Sequence, residues 1–532
     1  MANQPAPHEP QGNGESRLSR RQLFQYSGLA AAAVGGSSLL TACGGDDDGG
    51  GGGGSGGAQS SGGTLIHGAT GGSSKDTLDP HAPVQAADIA RCSNLYEPLL
   101  FWDNNYELAP AIAESVEPSK DAKTWTVKLR QGATFHNGKD VTPEDVLFTI
   151  QRVADPKAPT SAGSILSQII DFDETKKLDD SSLQIVVKTP YALLDTLLAE
   201  YTFGIIPEDF DINNPVGTGA FSYVSFDPGK TSTFKKYADY WGDPAFVDEL
   251  TIQDFTDDNA KVNALMAGQV QTVDNLPTNL IDSLKSQGGL PLIADTGAWL
   301  PFTMRVDTAP FSDVKVRQAL RLIVDRQQMI DQALSGYGSL GNDLYGVFDE
   351  AYTDDFPQRE QDIDQAKSLL KSAGQEGLQV ELFTGADIAP AAPSAANLFA
   401  EQAKAAGVDI RVTKKPAFFD DQYLSYPFGM TFWNTRLYIA QAGACALPGA
   451  AYNETHWANE KFNDLVNTAA QQVDPAKRID LVQQAMQLEY DEGGYIIWGF
   501  RRQVDGVGKG VQGVEPSKYL PLGSYKFQYA SV

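Results

Sequence analysis

The sequence predicts an α/β protein with more than one hydrophobic core. Three observations carry this. Strand and helix signals alternate through the body, one stretch reads as a β-α-β unit, and 532 residues, 42% of them hydrophobic, are too many for one sheet and one core.

The elements follow in chain order. Trp125, Val127 and Leu129 alternate with Thr126 and Lys128, which predicts a half-buried strand ending at Gln131-Gly132. A helix is predicted to start at Thr142-Pro143-Glu144-Asp145, with Thr as N-cap, Pro at the first helical position and an acid three after the cap. Val146, Ile150 and Val153 share one face of it. Residues 364 to 373 place Ala366, Leu369, Leu370 and Ala373 on one face and stop at Gly374. Leu378, Val380 and Leu382 then alternate as a strand, and Ser394 after Pro393 reads as a helix cap. Residues 398 to 406 read as helix ending at Gly407, and Val408, Ile410 and Val412 alternate again. That is the β-α-β unit, so its strands are expected to be parallel and its crossover right-handed. Asp474-Pro475 opens another helix through Ile479, Val482 and Met486.

The first 43 residues read as an address. Ser19-Arg20-Arg21-Gln22-Leu23-Phe24 resembles a twin-arginine export signal, and a short run rich in Gly and Ala leads to Leu40-Thr41-Ala42-Cys43, which resembles a lipobox. The run is too short to span a hydrocarbon core about 30 Å thick. Lipidation is therefore expected on Cys43, with Arg20 and Arg21 as the export signal and Cys43 as the first mature residue. Residues 44–63 are almost wholly Gly, Ser and Asp, a composition that cannot bury enough surface to order itself, and read as a tether. The expected location is extracytoplasmic, on the cell membrane through the lipid anchor only.

Charge and residue usage narrow the function. A formal net charge of -27 repels nucleic acid and anionic headgroups. Cys92 and Cys445, the cysteines left once Cys43 carries lipid, read as buried small apolar residues and not as a bridge. Outside the glycine tether no Gly-x-Ser-x-Gly, His-Glu-x-x-His, phosphate-binding loop or Cys-x-x-Cys occurs, so neither catalytic machinery nor a cofactor site is read. Five histidines in the chain, with His8 and His67 near its start, argue against a metal site.

Three segments carry a family resemblance. The first holds Leu95-Tyr96-Glu97-Pro98-Leu99, Leu108 to Ser115, the strand at 124–129, Phe135-His136-Asn137-Gly138-Lys139 and Thr142-Pro143-Glu144-Asp145-Val146. The second is Asn214-Pro215-Val216-Gly217-Thr218-Gly219-Ala220-Phe221 with Tyr240-Trp241-Gly242, and the third is Pro310 to Leu320 followed by Ile323-Val324-Asp325-Arg326. Together they resemble the peptide- and nickel-binding class of extracellular solute-binding proteins, the capturing subunits of ABC importers. The resemblance implies two α/β lobes of the periplasmic-binding-protein type, joined by a hinge, with a subdomain inserted in lobe I. Lobe I is placed at about 64–302 plus 500–532, its insertion at about 102–214, and lobe II at about 303–499. Gly138, Gly217 and Gly219 are read as positive-φ turn positions, and His136 as a satisfied structural histidine.

The same resemblance points to a binding cleft. Trp299 and Phe302 fall at the hinge, and the aromatic run from Tyr426 brings Trp433, Asn434 and Arg436. Peptide-binding relatives typically read Trp-x-x-Asp here, the Asp pairing with the peptide's α-ammonium. Arg436 reverses that charge, and Met304-Arg305 stands where relatives often have Phe-Asn, with an Arg variant also familiar there. Two guanidinium groups favour an anionic group on the cargo, unless each pairs with a protein carboxylate. The expected protein is a monomeric, non-enzymatic subunit that binds short peptides or another small organic solute and docks on ABC permease subunits. Its rivals are a surface-anchored hydrolase and a sensory or adhesive lipoprotein on the same fold.

Overall fold

A computed structural model describes residues 61–532 except 84, 156–160, 386–387, 417, 420–421 and 451. Arg20, Arg21, Cys43 and nearly all of the tether lie outside the described residues. None of the described helices is long and apolar enough to cross a membrane.

The first body is built on a mixed sheet of eight strands, whose path runs Leu290–Trp299, Gly499–Val507, Thr272–Val273, Thr64–Thr70, Glu249–Phe255, Thr231–Lys236 and Phe221–Asp227, with Gly338–Leu340 pairing off this path to Gly499–Val507. Thr64–Thr70 is parallel to both of its neighbours, and the outer pairings are antiparallel. A sheet with a parallel centre needs cover on both faces, and Leu65, Leu250 and Ile252 pack against Ala87, Leu95 and Phe527. Beside it stands an antiparallel sheet in the order Ala113–Pro118, Thr124–Leu129, Ser182–Val187, Ile170–Asp179. Trp125, Val127 and Leu129 point into its core, where the helix Pro143–Val153 supplies Val146, Ile150 and Val153. That helix starts as its sequence predicts: the Thr142 side chain accepts from the Asp145 N–H while Asp145 accepts from the Thr142 N–H.

The second body holds the β-α-β unit. Strands Gln379–Thr384 and Asp409–Lys414 are parallel, and the helix between them is Ala392–Ala403, extended by one 3-10 turn to Ala406. Gly407 stops it at φ 76°. The cap differs from expectation. Ala391 is the N-cap, and Ser394 sits in the first turn with its hydroxyl donating to the Ala391 carbonyl at 2.8 Å, a local alternative open to any early-helix serine. Helices Ile363–Ser372 and Pro475–Glu492 start at Asp362 and Asp474. A short sheet, Phe428–Met430, Phe302–Met304, Tyr495–Ile496, completes this body.

Two stretches cross between the bodies side by side. Leu290–Trp299 leads from the large sheet toward Phe302–Met304, and Tyr495–Ile496 leads back into Gly499–Val507. The pair is in register from Leu290/Val507 to Asp295/Arg502, then shifts before Trp299/Phe500. The ladder is interrupted there, over residues 296–298, where the chain leaves the large sheet.

Cys92 and Cys445 are buried and free. Gly138 has φ 80°, as read from the sequence. Gly217 and Gly219 correct that reading: neither has positive φ, and both are glycine because the chain runs against a helix end. A Cβ on Gly217 would lie 1.9 Å from the Leu95 carbonyl oxygen, and one on Gly219 would lie 2.2 Å from that of Asn94. His136 closes this junction. Its Nδ1 accepts from the Gly217 N–H at 3.2 Å and its Nε2 donates to the Gly219 carbonyl at 2.9 Å.

Candidate functional site

The aromatic residues at the hinge form one stack. Trp299 lies between Tyr345 and Trp433, at ring-centroid distances of 5.6 and 6.1 Å and interplanar angles of 18° and 21°. Tyr495 meets the Trp299 ring edge-on at 5.3 Å. The segment 431–437 has no regular structure of its own, and Thr435 holds it in place. Its hydroxyl accepts from the Gly297 N–H at 3.0 Å and donates to the Lys518 carbonyl at 3.2 Å, tying the crossing strand to the C-terminal segment.

Arg436 extends from this segment with its guanidinium carbon 5.3 Å from the Trp433 ring centroid. It is half-buried, and among the described residues it makes no hydrogen bond and no ion pair within 4.0 Å. A guanidinium withdrawn from bulk water without a carboxylate is costly unless a partner arrives. The groups that feel its charge belong to the first body: Glu200, Tyr106 and Tyr201. Burial pushes the Glu200 carboxyl above its ordinary value, while Arg436 and the Tyr519 hydroxyl pull it down. Tyr106 stacks on Trp102 at 4.3 Å, approaches Tyr519 at 5.7 Å and meets Phe348 of the second body at 6.1 Å. The bodies therefore meet here, through rings from both sides.

Of the residues singled out from the sequence, Trp299, Trp433 and Arg436 come together. Asn434 is exposed on the same segment. Phe302 does not join them: it is fully buried and stacks on Phe399 at 4.5 Å in the core of the second body. Arg305 is engaged elsewhere. Its Nε and Nη2 donate to Asp307 at 3.0 and 2.7 Å, its Nη1 to the Ser425 carbonyl at 3.1 Å, and Asp307 also meets His456 Nδ1 at 3.1 Å. Glu200, Tyr106, Tyr201, Tyr519 and Phe348 escaped sequence reasoning. Glu200 had a signal: a lone carboxylate breaks the apolar run Leu197-Leu198-Ala199, where a solvent-facing residue would need no such neighbours.

Among the described residues, no group of three or more His, Cys, Asp or Glu side chains is placed to hold a metal ion. Buried acids elsewhere are tied into the core. Glu454, pushed by burial to about 7, accepts from the Tyr423 and Tyr495 hydroxyls, and Asp343 is ringed by Arg326 and Arg359.

Comparison with known proteins places this geometry. The chain is 27% identical over 469 residues to the dipeptide-binding protein of Escherichia coli K12, covering 80% of this chain and 86% of that one. It is 25% identical over 455 residues to the glutathione-binding protein GsiB of Shigella dysenteriae, covering 80% and 87%. Among solved structures, the ABC transporter substrate-binding protein CtaP of Listeria monocytogenes superposes with a TM-score of 0.78 at 22% identity, over 89% of this chain and 99% of that one. HbpA2 of Haemophilus parasuis gives 0.75 at 24%, over 88% and 100%. These likenesses show the fold to be the two-lobed one, with the hinge between the lobes. The model of the bacterial extracellular solute-binding proteins, family 5 (middle), matches residues 107–444, so the chain belongs to that family of solute-binding proteins.

Proposed function

We propose that the protein is the substrate-binding subunit of an ABC importer, capturing short peptides or another small organic solute through an anionic group held by Arg436. The observation that carries this is the uncommitted guanidinium at the meeting of the two bodies, with Trp433 beneath it. A planar fork of donors matches a carboxylate bidentately, and the Trp433 face adds apolar area. The relatives named for dipeptides and for glutathione support the cargo class, since both ligands carry carboxylates. Binding proceeds without chemistry, as the family's solute-binding character supports. Solute bridging the bodies favours the closed arrangement, and that form docks on the permease.

The lobes are assigned to about 64–302 plus 500–532, with an insertion at about 102–214, and to about 303–499. Asn434 beside Arg436 is assigned to the cleft and Trp299 to the wall behind Trp433, while Phe302, in the second body's core, and Arg305, paired with Asp307, stand apart from it. The chain works as a monomer held to the membrane by lipid on Cys43. Native mass spectrometry of freshly purified protein tests the function, with an intact small solute bearing an anionic group expected on it. Arg436→Ala should weaken its binding at least about tenfold, as for truncation of a buried charge-assisted pair. Equal affinity in that variant would overturn the role of Arg436, and recovery of a chemically altered solute would overturn the non-enzymatic reading.

A further inference from the structure

Glu200 faces the Arg436 region from the first body with one oxygen uncommitted. Its Oε2 accepts from the Tyr519 hydroxyl at 2.9 Å, and that hydroxyl accepts from the Tyr201 N–H at 3.2 Å. Oε1 has no hydrogen-bond partner among the described residues. The backbone on either side is anchored, because Leu198 and Phe203 are fully buried in the core of the antiparallel sheet. Glu200 and Arg436 sit on segments that touch, since Tyr519 bonds Glu200 and the adjacent Lys518 carbonyl accepts from Thr435 beside Arg436, yet they form no ion pair within 4.0 Å among the described residues. A carboxylate and a guanidinium are thus held apart, with Tyr106, Tyr201 and Tyr519 around them.

Other charges nearby are spoken for. The Asp349 oxygens accept from the backbone N–H groups of Ala351 and Tyr438 at 3.0 and 2.9 Å, and Lys518 Nζ lies 4.9 Å from the Phe348 centroid. Two further groups lack partners. The indole N–H of Trp102, 4% exposed and stacked on Tyr106, and that of Trp433, 6% exposed, are buried without an acceptor among the described residues. Buried donors without a partner are costly, and a polar ligand relieves that cost.

We propose that Glu200 is a specificity-determining residue, receiving the ammonium end of a zwitterionic solute whose carboxylate sits on Arg436. This rests on the role given to Arg436 above and adds the second charge. Each body supplies one charge of opposite sign, so only a solute carrying both satisfies the two at once. A solute with the anion alone leaves Glu200 unpaired in a site from which it has displaced water.

Three dipeptide pools test this on the full chain: free termini, N-acetylated, and C-amidated. Each is incubated with the protein, separated by gel filtration and read by mass spectrometry. The free pool should be retained, and either blocking group should cut retention about tenfold, as for loss of one desolvated charge pair. Glu200→Gln, which keeps the acceptor for Tyr519, should erase the penalty for N-acetylation and keep that for amidation. Retention of the N-acetylated pool equal to the free pool, with the amidated pool rejected, would overturn the assignment to Glu200 and leave Arg436 standing. Retention of the amidated pool would overturn the role of Arg436, and rejection of all three pools would overturn both. The wild-type comparison decides the matter even if the variant folds poorly.

Discussion

Trp299 and Trp433 are joined twice: their rings stack at 6.1 Å, and each backbone N–H donates to the other's carbonyl at 3.0 Å. The end of the crossing strand and the segment bearing Arg436 therefore move as one piece. Trp299 is the inner partner, and Trp433 carries the guanidinium on its ring. A solute reaching Arg436 should change the emission of Trp433. We expect a saturable fluorescence change with the co-purified solute, most of it lost in Trp433→Phe, which keeps the stacking area. An unchanged signal in that variant would place the responsive tryptophan elsewhere.

His136 gives the junction a dependence on pH. Nδ1 already accepts from Gly217, so a proton there would face another donor, and burial lowers the pKa from 6.5 to about 4 against the opposing pull of the Gly219 carbonyl. A histidine with a depressed folded-state pKa contributes stability that is present above 6.5 and lost as pH falls toward 4, worth on the order of 3 kcal/mol. Chemical denaturation between these pH values should show His136→Gln taking up about one proton fewer on unfolding than the wild type. Equal pH slopes would show that His136 titrates normally.

Gly217 should tolerate no side chain. The clash with the Leu95 carbonyl involves backbone on both sides, which cannot swing away as a flexible side chain would. Gly217→Ala should cost about 3 kcal/mol or more, seen as a lowered thermal midpoint or loss of soluble protein. Gly138→Ala, strained in φ but with open space around its Cβ, should cost about 1 kcal/mol. Equal losses in the two variants would refute the close-approach account.

Cys43 and the arginine pair before it are tested in cells. Cys43→Ser should release the protein from the membrane fraction or block its processing, and Arg20→Lys with Arg21→Lys should stop export. A membrane-bound, normally cleaved Cys43→Ser protein would end the lipoprotein reading. Unchanged export of the double lysine variant would point to the general secretory route.

Local signals were legible in the sequence, and long-range ones were not. The strand at 124–129 and the helix from Pro143 are each written in neighbouring residues, by alternation in one case and a capping box in the other. The pairing of Leu290–Trp299 with Gly499–Val507 joins residues such as Thr296 and Arg501, 205 positions apart, and no periodicity reports a partner at that distance. Gly217 and Gly219 show a subtler limit. Glycine announces that something special is needed, but not whether it is a turn or a neighbour's backbone. At the site, Trp299, Trp433 and Arg436 were legible from motif position. Glu200, which faces them from the other body, was visible only as an interruption in an apolar run.

The returning strand Gly499–Val507 lies inside the large sheet, between Leu290–Trp299 and Thr272–Val273, and Leu522, Tyr525, Phe527 and Ala530 pack beneath it against Leu65 and Leu250. During synthesis this matters for timing. A ribosome delivering the chain from its N-terminus exposes the strands on either side of that gap long before their partner exists, and their unpaired edges must be kept from other chains. The second body, whose short sheet closes with Tyr495–Ile496, can assemble while the first still waits for its last strand. An export pathway that inspects cargo for completed folding would hold this protein until translation has ended.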